Sequence, residues 1–123
     1  MKTTKRHFKV FKAEVERWVN NFGLHDWEVS IHHGDVGNDE HAAECIADPD
    51  TRNATIQLSD EFTILLPFSE MDIRRAGCHE ALELLLARLS YLAESRSATY
   101  EQIGEARHEV IARLLNYFYR RKP

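Results

Sequence analysis

Apolar residues recur along this chain with two different periods, and the switches between them divide it into six elements. From Lys5 to Asn21 the spacing of Phe8, Phe11, Val15, Trp18 and Val19 gives a helix one apolar face, with Lys9, Lys12, Glu16 and Asn20 on the other. Phe22 continues the apolar side, and Gly23 is placed to close the helix as a C-terminal cap. The period then changes to two. Trp27-Glu28-Val29-Ser30-Ile31-His32 alternates apolar and polar residues, as a strand with one buried face does. A polar loop from His33 to Glu40 precedes a second strand over Ala42 to Ala47. Asp48-Pro49-Asp50-Thr51-Arg52-Asn53 is a turn, since Pro fixes its own φ and flanking Asp side chains bond nearby backbone. Ala54 to Leu58 alternates again and forms a hairpin with the strand before it. Three short strands on short connections predict an antiparallel meander.

The interval Ser59 to Phe68 reads as a helical turn and a loop, with Pro67 keeping the chain extended. Ser69 followed three residues on by Asp72 is a capping box, opening one long helix from about Glu70 to Ala93. Leu82, Leu85, Leu89 and Leu92 recur at helical spacing, and Leu84, Leu86 and Ala87 widen the stripe until little of the circumference is left for water. Such a helix belongs in the middle of a fold. After a break at Ser95 to Thr99, where Ser97 or Thr99 can cap, a last helix runs from about Tyr100 to Tyr119. Its buried side is expected to hold Ile103, Ala106, Val110, Ile111, Leu114, Leu115 and Phe118. The expected fold is α+β: an N-terminal helix, a three-stranded antiparallel sheet, then two helices, in a single domain over residues 1–123.

Composition narrows the function. The chain has 123 residues, 43% hydrophobic and 29% charged, and a formal charge of −4, which argues against a general nucleic-acid binder. Lys2, Lys5, Arg6, Lys9 and Lys12 at one end and Arg120, Arg121 and Lys122 at the other read as solvated faces. No apolar run reaches the length of a membrane span and no secretory block opens the chain, so a cytoplasmic location is expected. Cys45 and Cys78 are too few for a disulfide framework and read as reduced, buried small side chains. Trp18 and Trp27 belong to the core or its edge, and His32, His33 and His41 to the surface.

The chemistry sits in the long helix. His79, Glu80 and Glu83 interrupt a run of leucines, and an ionised carboxylate there costs several kcal/mol unless a cation or hydrogen bonds meet it. His79 and Glu83 are four apart and share a face, with Glu80 a step round from His79. In His-Glu-x-x-His, two ligands at that spacing hold zinc and the intervening Glu polarises its water. Here the second His is Glu83, whose carboxylate zinc also accepts. The alternative is that the carboxylates face solvent or pair with arginines such as Arg75 or Arg88.

The element order with His-Glu on the helix after the strands resembles the minimal zincin metallopeptidase core. Trp27-Glu28-Val29, the strand Ala54 to Leu58, His79 to Leu86 and Arg107-His108-Glu109-Val110-Ile111 are similar to a group of small phage-encoded metallopeptidases related to the SprT-like domain. The resemblance implies zinc held by His79 and position 83, Glu80 as general base, and a third ligand from the following helix. His108 is the choice for that ligand, because an imidazole there would complete a three-ligand site; Glu105, one turn earlier, is the alternative. It implies hydrolysis of a protein or peptide substrate by metal-activated water, with an extended substrate pairing with an exposed edge strand, for which Ala54 to Leu58 is the candidate. Tyr91, Tyr117 and His41 are candidates for stabilising the oxyanion. The alternative function is a catalytically inactive protein of the same fold that binds another protein.

Overall fold

The structure, a computed structural model, describes residues 2–36, 42–61 and 69–120. Its elements follow the expected order: α1 (Lys5–Asn21), β1 (Glu28–His33), β2 (Ala43–Asp48), β3 (Asn53–Leu58), α2 (Glu70–Glu94) and α3 (Tyr100–Phe118). The fold is α+β. His41 and most of the interval between β3 and α2, with Pro67, lie outside the described residues.

Local sequence accounts for the helix ends. Each helix starts at a capping box, Thr4 with His7, Ser69 with Asp72 and Thr99 with Gln102, so that two otherwise orphaned N–H groups are met at each start. Of the two cap candidates for α3, Thr99 is the one used. At the end of α1, Gly23 takes φ +65, its N–H donates to the Asn20 carbonyl and that of Leu24 to Val19. This is a Schellman motif, and it turns Leu24 inward, where it is buried.

The strand order is β1-β3-β2. β3 runs antiparallel to β2 through the Pro49 turn but parallel to β1, with Glu28 opposite Asn53 and His33 opposite Leu58. The sheet is therefore mixed, which corrects the expected antiparallel meander. Alternation fixes which face of a strand is buried but not its neighbour, and β1 joins the far side of β3 instead of pairing with β2. A second correction follows: β3 is the central strand and β1 and β2 are the edges.

One face of the sheet carries the core. Ala54, Ile56 and Leu58 of β3 are buried, while Asn53 before them and Thr55 between them are exposed and Gln57 is half-buried. Ile56 and Leu58 pack with Phe11 and Val15 of α1 and Ile73 of α2; Ala54 packs with Phe22, Leu24, Trp27, Ala81, Leu84 and Leu85. Each large apolar side chain so buried contributes about 1.5–3 kcal/mol. α2 and α1 meet at Gly77, where an added Cβ would lie 3.1 Å from the Phe11 carbonyl oxygen and 3.1 Å from the Glu14 Cβ. Glu14 is itself buried but satisfied, its carboxylate accepting from Trp18 Nε1 at 2.9 Å, Arg17 at 3.2 Å and Arg74 at 3.3 Å.

α3 is docked less deeply than expected. Ala106 is buried and Val110 and Leu114 pack against the core, but Ile111, Leu115 and Phe118 are exposed, as are Leu82 and Leu86 of α2. The apolar arc of each helix is wider than the neighbour that covers it. His33 departs from its surface reading: its Nε2 lies 2.7 Å from the Thr3 hydroxyl and its ring stacks on Phe8 at 5.3 Å. No helix among the described residues is long and apolar enough to cross a membrane.

The two helical glycines should respond oppositely to a side chain. Gly77→Val is expected to lower the urea midpoint, because the nearest obstacle is backbone. At Gly104 the nearest neighbour is a flexible Arg107 terminus at 4.0 Å, so Gly104→Ala should raise stability by about 0.5–1 kcal/mol.

Candidate functional site

The absence of a side chain at Gly77 lets α1 close on α2, and the next turn of α2 is drawn in with it. Glu80 is consequently only 4% exposed, whereas His79 and Glu83, turned toward the rim, are exposed. Within this trio His79 is the hub. Its Nδ1 lies 3.3 Å from Glu80 Oε1 and its Nε2 lies 3.8 Å from Glu83 Oε1. In the tautomer with the proton on Nδ1, the ring donates to Glu80 and leaves Nε2 as a lone pair beside the Glu83 carboxylate.

The second oxygen of Glu80 has no partner. Glu80 Oε2 is the one buried side-chain oxygen or nitrogen among the described residues without a hydrogen bond. Apart from His79, no cationic side chain among the described residues pairs with Glu80 or Glu83; Arg88, a candidate for that role, donates instead to Glu109 of α3 at 2.8 Å. Burial pushes the Glu80 pKa above the ordinary carboxylate value, the hydrogen bond and charge of His79 oppose that, and the carboxylates of Glu83 and Glu44 add to the rise. Across from it on β2, burial and the carboxylates of Glu80 and Glu83 push the Cys45 thiol up to about 12. A thiol so held stays protonated near neutral pH and is no nucleophile.

The structure brings His79, Glu80 and Glu83 together and leaves His108 apart. The ion pair between Arg88 and Glu109 sets the level at which the antiparallel helices α2 and α3 face one another, so His108 stands opposite residue 89. That is ten residues, or about 15 Å along the axis, from His79. Glu105 is a turn further still, and both side chains are exposed. No group of three His, Cys, Asp or Glu side chains that could hold a metal occurs among the described residues. Glu109, beside His108, serves to join helices. Desolvation pushes its pKa up, but hydrogen bonds from Arg113 and Arg88 outweigh that and hold the carboxyl below its ordinary value. Arg113 also donates to Asp26 and to the Gly23 carbonyl, tying α3 to the end of α1.

The candidates for oxyanion stabilisation lie elsewhere as well. Tyr117 is packed edge-on to Trp18 and Phe22 at 5.5 and 6.1 Å. Tyr91 is three turns along α2 from Glu80, its hydroxyl 3.5 Å from Asp50 of the β2–β3 turn. His41 lies outside the described residues. What the sequence reading missed is a groove of about 220 Å³ between β2 and α2, lined among others by Cys45, Ala47, Glu83, Ala87, Tyr91 and Glu94. Its signal was present: Glu80, Glu83, Ala87, Tyr91 and Glu94 fall at intervals of three and four, a second stripe beside the leucines.

Compared with known proteins, the chain matches no family model, no curated protein and no solved structure.

The ionisation of Glu80 has a consequence for stability. Because its pKa is raised in the folded chain, its contribution is fully present below the unfolded-state value and is lost as pH rises through the folded-state value. Relative to Glu80→Gln, the natural chain should therefore lose stability as pH rises from the unfolded-state glutamate value through the higher folded-state one, read from urea midpoints along the series.

Proposed function

We propose that the chain is a zinc-dependent, peptidase-like hydrolase whose reacting centre is built on His79, Glu80 and Glu83. The observation that carries this reading is the Glu80 carboxylate, buried with one oxygen turned to an imidazole and the other without a partner. A buried, unmet acceptor is costly and is kept where chemistry needs it.

The donors suit an ion. Two donor atoms 3.8 Å apart, His79 Nε2 and Glu83 Oε1, can each stand about 2.1 Å from one zinc between them. Glu80 Oε1 orients the imidazole by accepting from Nδ1, as a carboxylate behind a ligating histidine usually does. Zinc held there would supply a Lewis acid and make bound water more acidic. Glu80 is the proton acceptor of the proposal: its Oε2 is buried, so the carboxyl must turn toward the rim, where it takes a proton from the attacking water and returns it to the leaving amine. A pKa raised above the ordinary carboxylate range suits a group that must both accept and release a proton near neutrality. The edge strand nearest this centre is β2, so an extended substrate in this reading lies along β2 and not along β3.

The predicted third ligand, His108, has no part in the proposal. That favours a second reading, a non-catalytic protein that binds a partner, since catalytic zinc ordinarily has three protein ligands and the described residues offer two at this point.

Metal analysis and proteolysis separate the two. The first reading expects one zinc per chain, at least tenfold weaker binding in His79→Ala and Glu83→Ala, and a Glu80→Gln variant that keeps zinc while its kcat on a denatured protein falls about 10²–10⁴-fold. Hydrolysis that survives Glu80→Gln, or a natural chain that neither binds zinc nor cleaves, would contradict it.

A further inference from the structure

The margin of the sheet away from β2 is open. β1 is an edge strand, bonded to β3 on one side, and among the described residues no strand lies on the other. In a parallel pair alternate residues bond to the neighbour. The Glu28 N–H donates to the Arg52 carbonyl and that of Gly34 to the Leu58 carbonyl, so Glu28, Ser30 and His32 face β3. Val29, Ile31 and His33 therefore aim their backbone N–H and C=O groups outward. Beside them runs a groove of about 450 Å³, walled by Lys12, Glu16, Val19 and Asn20 of α1 and floored by Val29 and Ile31.

Edge strands are usually blunted against pairing by proline, lysine or a bulge. β1 has no proline and no lysine, and its register with β3 is unbroken from Glu28 to His33. Charge then says what fits beside it. α1 runs antiparallel to β1: Phe8 stacks on the His33 ring at 5.3 Å, and Val19 meets Val29 in the groove. The part of α1 opposite Ile31 thus lies midway between Phe8 and Val19, where Lys12 and Glu16 stand, exposed and loosely paired at 3.9 Å. A two-fold axis at Ile31 would set each copy's Lys12 against the other's Glu16. On the far face of the sheet it would place the exposed Glu28 diagonal to the second copy's exposed His32. The edge is complementary to itself in donors, acceptors and charge.

We propose that β1 pairs antiparallel with β1 of a second copy of the chain about Ile31, joining two three-stranded sheets into one. Val29 then faces the second copy's His33 and Ile31 faces its own counterpart, with about six main-chain hydrogen bonds, two for each facing pair. The inward side chains of the two strands fill the paired grooves and make one apolar strip between the two α1 helices. The proposal does not rest on the hydrolytic reading. β2, with Cys45 beside Glu80 and Glu83, lies at the other margin and stays open in the pair.

Sedimentation velocity of the full chain should give the mass of one chain at about 1 µM and of two at about 200 µM. Hydrogen exchange at the same two concentrations, read by fragmentation mass spectrometry, needs no variant. The Ser30 and His32 amides, bonded to β3, should exchange slowly in both samples, whereas those of Val29 and Ile31 should slow about fivefold in the concentrated one. Ile31→Pro deletes an outward N–H and leaves the β3 ladder intact, so it should stay single at about 200 µM with an unchanged circular dichroism spectrum. Ile31→Lys, a charge at the two-fold, should do the same and serves if the proline variant does not fold. Leu115→Glu, on the exposed apolar side of α3, should leave the pair intact. The proposal is overturned by a pair whose Val29 and Ile31 amides exchange as fast as in the dilute sample, or by one undone by Leu115→Glu and not by the Ile31 variants. A chain that stays single at about 200 µM overturns it as well, even where an added strand-forming peptide protects those amides, since the edge then takes a foreign segment.

Discussion

Helix α2 runs beneath the sheet, against α1 and beside α3, and the contact that lets it do so is its crossing with α1 at Gly77. A methyl group there would sit 3.1 Å from a backbone carbonyl of α1, closer than packed atoms ordinarily stand. Closing that gap seats Ile73, Ala81, Leu84 and Leu85 in the two halves of the core, and it carries Glu80, one turn beyond the glycine, below the surface with them. The burial of an acid is thus a by-product of the same approach that stabilises the fold, and the chain tolerates a local cost in return for a large apolar gain.

Three acidic side chains show how differently such a cost is met. Glu14 is as deeply buried as Glu80, but an indole and two guanidinium groups share its charge. Glu109 is half-buried, and Arg88 and Arg113 more than compensate its desolvation. Glu80 has a single imidazole, on one oxygen, beside further carboxylates on Glu83 and Glu44 that raise its pKa still more. The first two hold helices together. The third has no structural role that an apolar residue of similar size would not fill better, which is the physical ground for giving it a chemical one.

Much of this was legible in the residues. Periods of 3.6 and 2 located all six elements to within a residue or two, and the Ser69–Asp72 and Thr99 caps and the closing Gly23 mark ends that local hydrogen bonding decides. The i, i+4 spacing alone puts His79 and Glu83 side by side. What could not be read was relational. Val29 and Ile31 alternate in the same way whether β1 pairs parallel or antiparallel, so the mixed sheet and the central place of β3 were hidden. His108 was expected near the trio because its helix follows α2; the level at which two antiparallel helices meet depends on pairs such as Arg88 with Glu109, which no periodicity announces. For the same reason Ile111, Leu115 and Phe118 looked buried, since a pattern gives the apolar arc of a helix and not the width of what covers it.

The chemistry proposed for α2 turns on the protonation of one carboxyl group, and carbon NMR of glutamate-labelled protein reads it directly. With pH varied in zinc-free buffer, the Glu80 side-chain carboxyl resonance, assigned through Glu80→Gln, should titrate with a midpoint above that of the exposed glutamates, because burial disfavours its charge and His79 offsets only part of the penalty. A midpoint equal to or below those of its exposed neighbours would mean that the group is solvated or fully paired, and the case for Glu80 as a buried base would fall.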